Sequence, residues 1–293
     1  MMFQKEEEEE EGNTLSATVL DIDAPYTLTA EDVRSYHHNG FARFKNVLAP
    51  RVLDHYGATI DSEVQVADKT PLEDDKAYQQ AFTQVPNLWE RNATIRQFVM
   101  GKRLGRMAAE LLQVDGVRVY HDQALCKEPG GGVTPWHCDH YYWPLATDKV
   151  LTAWIPLQPV PPEMGPLEFA VGSHTEDLGR SLGIGVDSER EIRRRVVEGG
   201  YSVCKDAFEL GEVSFHAGWT FHRANGNHTR MPRRIMTIIF MDKDMVVTRP
   251  DNRNQWADLD RWLPGVKPGE IAASPLNPIL GSLGASDLGN LRF

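Results

Sequence analysis

The chain has 293 residues, of which 41% are hydrophobic and 25% charged, with a net charge of −11; that length allows one large domain or two modest ones and a sizeable buried core. The uninterrupted run Glu6 to Glu11 carries much of the negative charge, so the body is only mildly acidic, which argues against nucleic-acid or anionic-membrane partners because both favour basic surfaces. Cys126, Cys138 and Cys204 stand at unrelated spacings that exclude a disulfide framework, no apolar run is long enough to span a bilayer, and MMFQKEEEEEEGN has no signal-peptide core; a cytoplasmic protein is expected.

In chain order, residues 1–25 are acidic and aperiodic and read as a disordered tail. One domain is expected over 26–293. Thr29 is placed as an N-cap with Asp32 in the first turn, Val33 and Tyr36 share a face, and Gly40 stops the helix. Phe41 to Phe44 read as a short strand. Helical patterns run from Arg51 to Val66 and from Ile95 to Leu112, with the loop-like DKTPLEDDKAYQQ between them.

From Val117 the pattern changes to short apolar or alternating runs broken by Gly and Pro: VRVYHDQALCKE, VLTAWIPLQPV, PLEFAV, GEVSFHAG and RIMTIIFMDKDMVV. Such strands, arriving as a block after the helices, predict an all-β sandwich or barrel rather than a doubly wound sheet. Residues 175–209 form an insertion. In it Ser188 to Glu191 fit a capping box, and Glu189 with Arg193 and Glu191 with Arg195 make i,i+4 pairs on a solvated face. The segment after Arg249 is rich in Pro and Trp and is expected to wrap the barrel.

TPWHCDHYYW, residues 134–143, crowds imidazoles, a thiol, a carboxylate and large aromatics together. On a strand, His137 and Asp139 project from one face while Cys138 points away. A second histidine from a later strand completes a two-His-one-carboxylate face, which leaves three octahedral positions open and is diagnostic of non-haem Fe(II) oxygenases. His140 follows Asp139 too closely to turn onto the same ion, and His174 ends a turn as a structural group. Spacing alone leaves His216, His222 and His228 as candidates.

The stretches HHNGFARFKNVL, KEPGGGVTPWHCDHYYW, LTAWIPL, MGPLEFAVGSH, GEVSFHAGWTFHRANGNHTRMPRR and SPLNPIL resemble the phytanoyl-CoA dioxygenase family of Fe(II)/2-oxoglutarate-dependent oxygenases. The resemblance implies a mostly β fold with flanking helices around a double-stranded β-helix, or jelly-roll, core. It implies iron held by an HxD pair and a distal His, and an arginine eleven residues beyond that His on the far carboxylate of 2-oxoglutarate. Eleven past His222 is Arg233, whereas the same step from His216 or His228 reaches Asn227 or Ile239. The implied ligands are therefore His137, Asp139 and His222, with Arg233 as anchor and Arg234 as the alternative one register away. A guanidinium suits that role, being permanently charged and able to pair with a carboxylate through two hydrogen bonds.

Around the cosubstrate, Gln123, Lys127, Thr134 and Trp154 are candidate contacts. Tyr141, Tyr142 and Trp143 are candidate walls of the substrate pocket, with core packing as the competing role. The resemblance further implies that 2-oxoglutarate chelates iron, that O2 takes the remaining position, and that succinate and CO2 leave as an unactivated C–H bond of a small molecule is oxidised. Ascorbate is an expected supporting reductant. Hydroxylation is the default outcome, with desaturation, cyclisation or epimerisation as alternatives; Asp139 disfavours halogenation, for which the carboxylate is replaced. A zinc hydrolase with the same ligands lacks a general base near the ion and leaves Arg233 without a role. A non-catalytic jelly roll does not need all four of His137, Asp139, His222 and Arg233. The aromatic wall and the insertion suggest a largely apolar lipid or secondary metabolite as substrate. The sequence sets no oligomeric state.

Overall fold

The computed structural model describes residues 20–67, 82–177 and 179–280. Most of the acidic tail and the loop-like stretch 68–80 lie outside the described residues. Residues 20–25 are described and packed against the body: Asp21 pairs with Arg103 at 2.6 Å, and the Ala24 carbonyl accepts from the same guanidinium at 2.7 Å. Residues 20–25, expected in the tail, are thus tied to the body, because the polar look of this stretch hides an ion pair made far along the chain.

Helix α1, Ala30–Asn39, starts at a capping box in which the Thr29 hydroxyl accepts from the Asp32 amide at 3.1 Å and the Asp32 carboxylate accepts from the Thr29 amide at 2.8 Å. It ends at Gly40, whose φ of 80° and whose closeness to His174 leave no room for a Cβ. Strand β1 is Phe41–Phe44 and helix α2 is Pro50–Val66. Strand β2, Thr83–Pro86, was not foreseen. A short helix not foreseen, α3 (Leu88–Arg91), comes first, and the long helix expected over Ile95 to Leu112 is two shorter ones, α4 (Ala93–Val99) and α5 (Lys102–Leu112), separated at Gly101. Asn92 starts α4 by accepting from the amides of Thr94 and Ile95.

The strands that follow are β3 (Val117–Lys127), β4 (Thr134–His137), β5 (Val150–Pro156), β6 (Leu167–Ala170), β7 (Val203–Cys204), β8 (Val213–Ala217), β9 (His222–Ala224), β10 (Arg233–Asp242) and β11 (Ile279–Leu280). They form two antiparallel sheets. The larger runs β1-β8-β5-β10-β3-β11 with β2 also on β3, and the smaller runs β4-β9-β6-β7. This is the jelly-roll architecture expected of the sequence.

Strand periodicity decides which residues see the space between the sheets. On β5, Leu151, Ala153 and Ile155 pack against the helices, while Thr152 and Trp154 face inward. On β10, Met236, Ile238 and Phe240 join the helix side, and Arg233, Thr237 and Ile239 face inward. The β3–β10 register shifts between Ile239 and Phe240. This bulge changes the parity of β3: Val117 and Val119 face the helices, but after Tyr120 it is His121, Gln123 and Leu125 that face the cavity.

The insertion holds helix α6, Val186–Glu198. It begins two residues before the expected capping box: Gly185 is the N-cap, and Ser188, at the third helical position, bonds the backbone of Gly185 at 3.0 Å. Its expected pairs Glu189–Arg193 and Glu191–Arg195 are both made. Helix α7, Arg253–Trp262, lies against one end of the sandwich. Among the described residues no helix is long and apolar enough to cross a membrane.

Candidate metal centre

His137 is the last residue of β4 and His222 the first of β9, and the two are direct partners across the β4–β9 ladder. Cross-strand partners project to one face, and here the ring centroids are 4.1 Å apart. Asp139 is not on the strand as expected. It opens a short 3-10 turn, Asp139–Tyr142, which curls its carboxylate back between the rings. Asp139 Oδ1 lies 3.7 Å from His137 Nε2 and 3.5 Å from His222 Nε2. All three ligand atoms fall within 4.8 Å of one another, a spacing that can hold one metal ion.

The donor set is prepared for a cation. His137 Nδ1 donates to the Pro135 carbonyl at 2.7 Å and His222 Nδ1 to the Thr220 carbonyl at 3.0 Å. Each bond fixes the tautomer and turns an Nε2 lone pair toward Asp139. Burial pushes both imidazoles below their usual pKa, outweighing the Asp139 carboxylate, which acts in the opposite direction, and so favours the neutral rings that ligate a cation. Burial works against the Asp139 carboxylate, but His222, His216 and His137 outweigh it and hold its carboxyl well below the usual carboxylate range. Its second oxygen, Oδ2, accepts from Thr152 Oγ1 at 2.8 Å and from His216 Nε2 at 3.2 Å.

The histidines set aside at the sequence level stand elsewhere. His140 stacks on Trp219 with centroids 4.4 Å apart, and His174 Nε2 bonds the His37 carbonyl at 3.0 Å. Cys138 points into an apolar cluster with Trp136 and Phe221, and burial pushes its thiol up to about 12.

A cavity opens from this group, lined by Gln123, Thr134, Trp154 and Arg233 on one side and by Tyr142, Trp143, Ile184 and Trp262 on the other. Arg233 is 2% exposed, its Nε has no partner, and its Nη1 donates to the Gly165 carbonyl. Gly165 turns that carbonyl inward at φ 73°, where a Cβ would sit 2.2 Å from the Asn225 carbonyl oxygen. No acidic side chain pairs with Arg233 among the described residues, so a buried guanidinium faces the cavity with donors to spare. That fits a carboxylate ligand. Arg234 faces the other way and pairs with Asp61 of α2. The parity of β10 thus separates two arginines that sequence left ambiguous.

Two expected contacts do not line the cavity. Lys127 is fully buried and spends Nζ on the Gly132 carbonyl, Thr134 Oγ1 and the Asn225 carbonyl at 2.7, 3.1 and 2.9 Å. Tyr141 packs with the apolar cluster under α6. Tyr142 and Trp143 do line it, and Tyr142 Oη accepts from the Ile184 amide at 2.9 Å, joining the insertion to the wall. Sequence reasoning missed Thr152, His121 and Trp262, which also line the cavity, and considered His216 only as a ligand candidate. Thr152 had a signal, because it stands two residues before Trp154 on one face. The stack of His121 on Trp262, centroids 4.8 Å apart, had none.

The phytanoyl-CoA dioxygenase family model matches residues 36–235. The chain belongs to that family. It is therefore a non-haem iron and 2-oxoglutarate-dependent oxygenase. No curated protein sequence is significantly similar to it. Among solved structures, the non-haem α-ketoglutarate-dependent carbocyclase SnoK from nogalamycin biosynthesis is similar, with a TM-score of 0.72 and 24% identity over 88% of this chain and 99% of that one. The epimerase SnoN in complex with Fe3+, α-ketoglutarate and nogalamycin RO gives 0.73 and 23% identity over 85% and 97%. EvdO2 from Micromonospora carbonacea var. aurantiaca, complexed with 2-oxoglutarate, gives 0.59 and 20% over 80% and 98%. At these identities the likeness is one of fold.

Proposed function

We propose that His137, Asp139 and His222 hold iron, that Arg233 anchors the far carboxylate of 2-oxoglutarate, and that the enzyme oxidises an unactivated C–H bond of a small, largely apolar organic molecule. The observation that carries this reading is the buried Arg233 guanidinium, without an acidic partner among the described residues, facing the same cavity as the three convergent ligand atoms. Bound iron and cosubstrate supply the oxidising power, releasing succinate and CO2. The chain's own residues position the reactants. Trp154, against the Arg233 guanidinium at 5.7 Å, and Thr134 flank the cosubstrate. Gln123 stands on the same wall, and Lys127 acts from behind Thr134 by fixing the loop.

The aromatic wall of Tyr142, Trp143 and Trp262 suits a flat ring system, and His121, Thr237 and Gln123 offer hydrogen bonds to its substituents. An oxygenated secondary metabolite fits this mixture better than a simple alkyl chain. Hydroxylation is the first reading. Ring closure or epimerisation is the second, supported by the carbocyclase and epimerase among the similar folds; holding the substrate radical away from the metal favours it. Ascorbate supports turnover by keeping iron reduced. The thiols Cys126, Cys138 and Cys204, none of them in a disulfide, fit a reducing, cytoplasmic setting.

The test is mass analysis of a panel of aromatic polyketide-like and lipid substrates, incubated with the enzyme, Fe(II), 2-oxoglutarate and ascorbate. A gain of one oxygen supports hydroxylation; a loss of two hydrogens, or an unchanged mass with altered retention, supports the second reading. Succinate released only with a peptide or nucleic acid present would overturn the small-molecule reading.

A further inference from the structure

We propose that His216, together with Thr152, restricts Asp139 to binding the metal through a single oxygen and so keeps a coordination position open for the reaction. The proposal rests on the site assignment above and concerns a residue that is not itself a ligand. Thr152 on β5 and His216 on β8 are direct partners in the β5–β8 ladder, so their side chains rise together from the floor of the cavity. Both meet the same atom. Asp139 Oδ2 accepts from Thr152 Oγ1 at 2.8 Å and from His216 Nε2 at 3.2 Å, while Oδ1 alone faces His137 and His222.

A carboxylate oxygen has two lone-pair sites, and both sites of Oδ2 are engaged by these donors. The carboxylate then has one oxygen left for an ion. With a six-coordinate metal, one oxygen and two imidazoles leave three positions, enough for a chelating 2-oxo acid and O2. If Asp139 closed onto the ion with both oxygens, one of those three would be lost.

His216 is built to hold this posture. It is 1% exposed and wedged between Phe169 and His222, with centroid distances of 5.4 and 4.5 Å. Its Nδ1 has no hydrogen-bond partner. A leucine would fill such a buried place at lower polar cost, so the imidazole is retained for what Nε2 does.

The test is a crystal structure of the Mn(II)-loaded protein and a Mn(II) titration for wild type, His216→Leu, His216→Gln and Thr152→Val. A glutamine amide reaches about where the histidine Nε2 lies and restores the donor. The expected result is one Asp139 oxygen on the metal in wild type and His216→Gln, and both oxygens in His216→Leu. Mn(II) affinity in His216→Leu stays within about tenfold of wild type, while 2-oxoglutarate turnover with Fe(II) falls by roughly 10–100-fold. Thr152→Val shifts the carboxylate in the same direction and carries the test if His216→Leu does not fold. One-oxygen ligation in both His216→Leu and Thr152→Val, or failure of His216→Gln to restore it, overturns the proposal. Metal found away from His137, Asp139 and His222 in wild type overturns the site assignment and this proposal with it.

Discussion

Lys127 and Arg233 face one another across the β3–β10 ladder, both buried, and among the described residues no acidic side chain pairs with either. With two basic side chains placed together in the interior, a second positive charge is costly unless an anion joins them. Arg233 has its Nε unpartnered, whereas Lys127 has three acceptors around Nζ. This difference supports reading the arginine as the proposed partner of the cosubstrate and the lysine as the support behind it.

Arg233→Ala removes the anchor and is expected to raise the KM for 2-oxoglutarate by roughly 10–100-fold, the usual worth of a charge-assisted hydrogen-bonded pair. Arg234→Ala breaks the links to Asp61 and Gln158, both away from the cavity, and is expected to leave that KM within about threefold, since a partly exposed ion pair contributes little. Steady-state succinate formation against 2-oxoglutarate concentration separates them. A larger effect at Arg234 would reverse the register assignment.

Burial, followed by Arg233 and Arg223, pushes the Lys127 ammonium down to about 6 from its ordinary 10.5. In that interval the unfolded chain binds a proton that the folded protein does not, so stability contributed by this residue rises with pH across the window. Below the lower value both states are protonated and the full penalty of the buried charge is present. Urea denaturation from about pH 6 to pH 10 is expected to show this rise in wild type and a flatter profile in Lys127→Met. Identical slopes would show that the proton is retained in the folded state.

Glu189 ties the two ligand strands to the insertion. Its Oε2 accepts from the amide of Trp136, next to His137, at 2.8 Å, and its Oε1 pairs with Arg223, next to His222, at 3.4 Å. Glu189→Ala takes the acceptor from the Trp136 amide and one of two carboxylates from Arg223, which keeps Glu168 and Asn225, and is expected to cost about 1–3 kcal/mol in chemical denaturation. Glu189→Gln keeps the acceptor for Trp136 and is expected to recover part of that loss. Equal stability of the alanine variant and wild type would show that α6 docks without this carboxylate.

Tyr142→Phe removes the acceptor of the Ile184 amide and loosens the insertion from the cavity wall. The expected result is a rise of about threefold to tenfold in the KM for the organic substrate, from the loss of roughly one hydrogen bond. The KM for 2-oxoglutarate is expected to stay unchanged. A change in both would place Tyr142 at the cosubstrate instead.

Much of the site was legible because its signals are local. The HxD spacing, the Thr29 capping box and the i,i+4 pairs of α6 depend on near neighbours, and each reads directly from the chain. The distal His222 and Arg233 needed family likeness, because their meeting with His137 depends on a cross-strand register that spacing does not set. Strand parity on β10 puts Arg233 at the cavity and turns Arg234 toward Asp61, a separation that spacing alone could not give. The bulge at Tyr120 reverses the parity of β3, so His121 could not be placed at the cavity from alternation alone. Asp21 was hidden for the same reason, since its partner Arg103 is remote in sequence. Lys127 and Tyr141 were read as cavity residues because they adjoin it in sequence, yet carbonyl acceptors and an apolar cluster claim them.

On the proposed function, iron and 2-oxoglutarate meet at His137, Asp139 and His222. The direct measurement is anaerobic titration of Fe(II) and then 2-oxoglutarate into the protein, following the visible charge-transfer absorption of an iron-bound 2-oxo acid. The account predicts that wild type and His228→Ala develop the band at a single equivalent of iron, and that His137→Ala and His222→Ala do not. A band that survives in His222→Ala would contradict it.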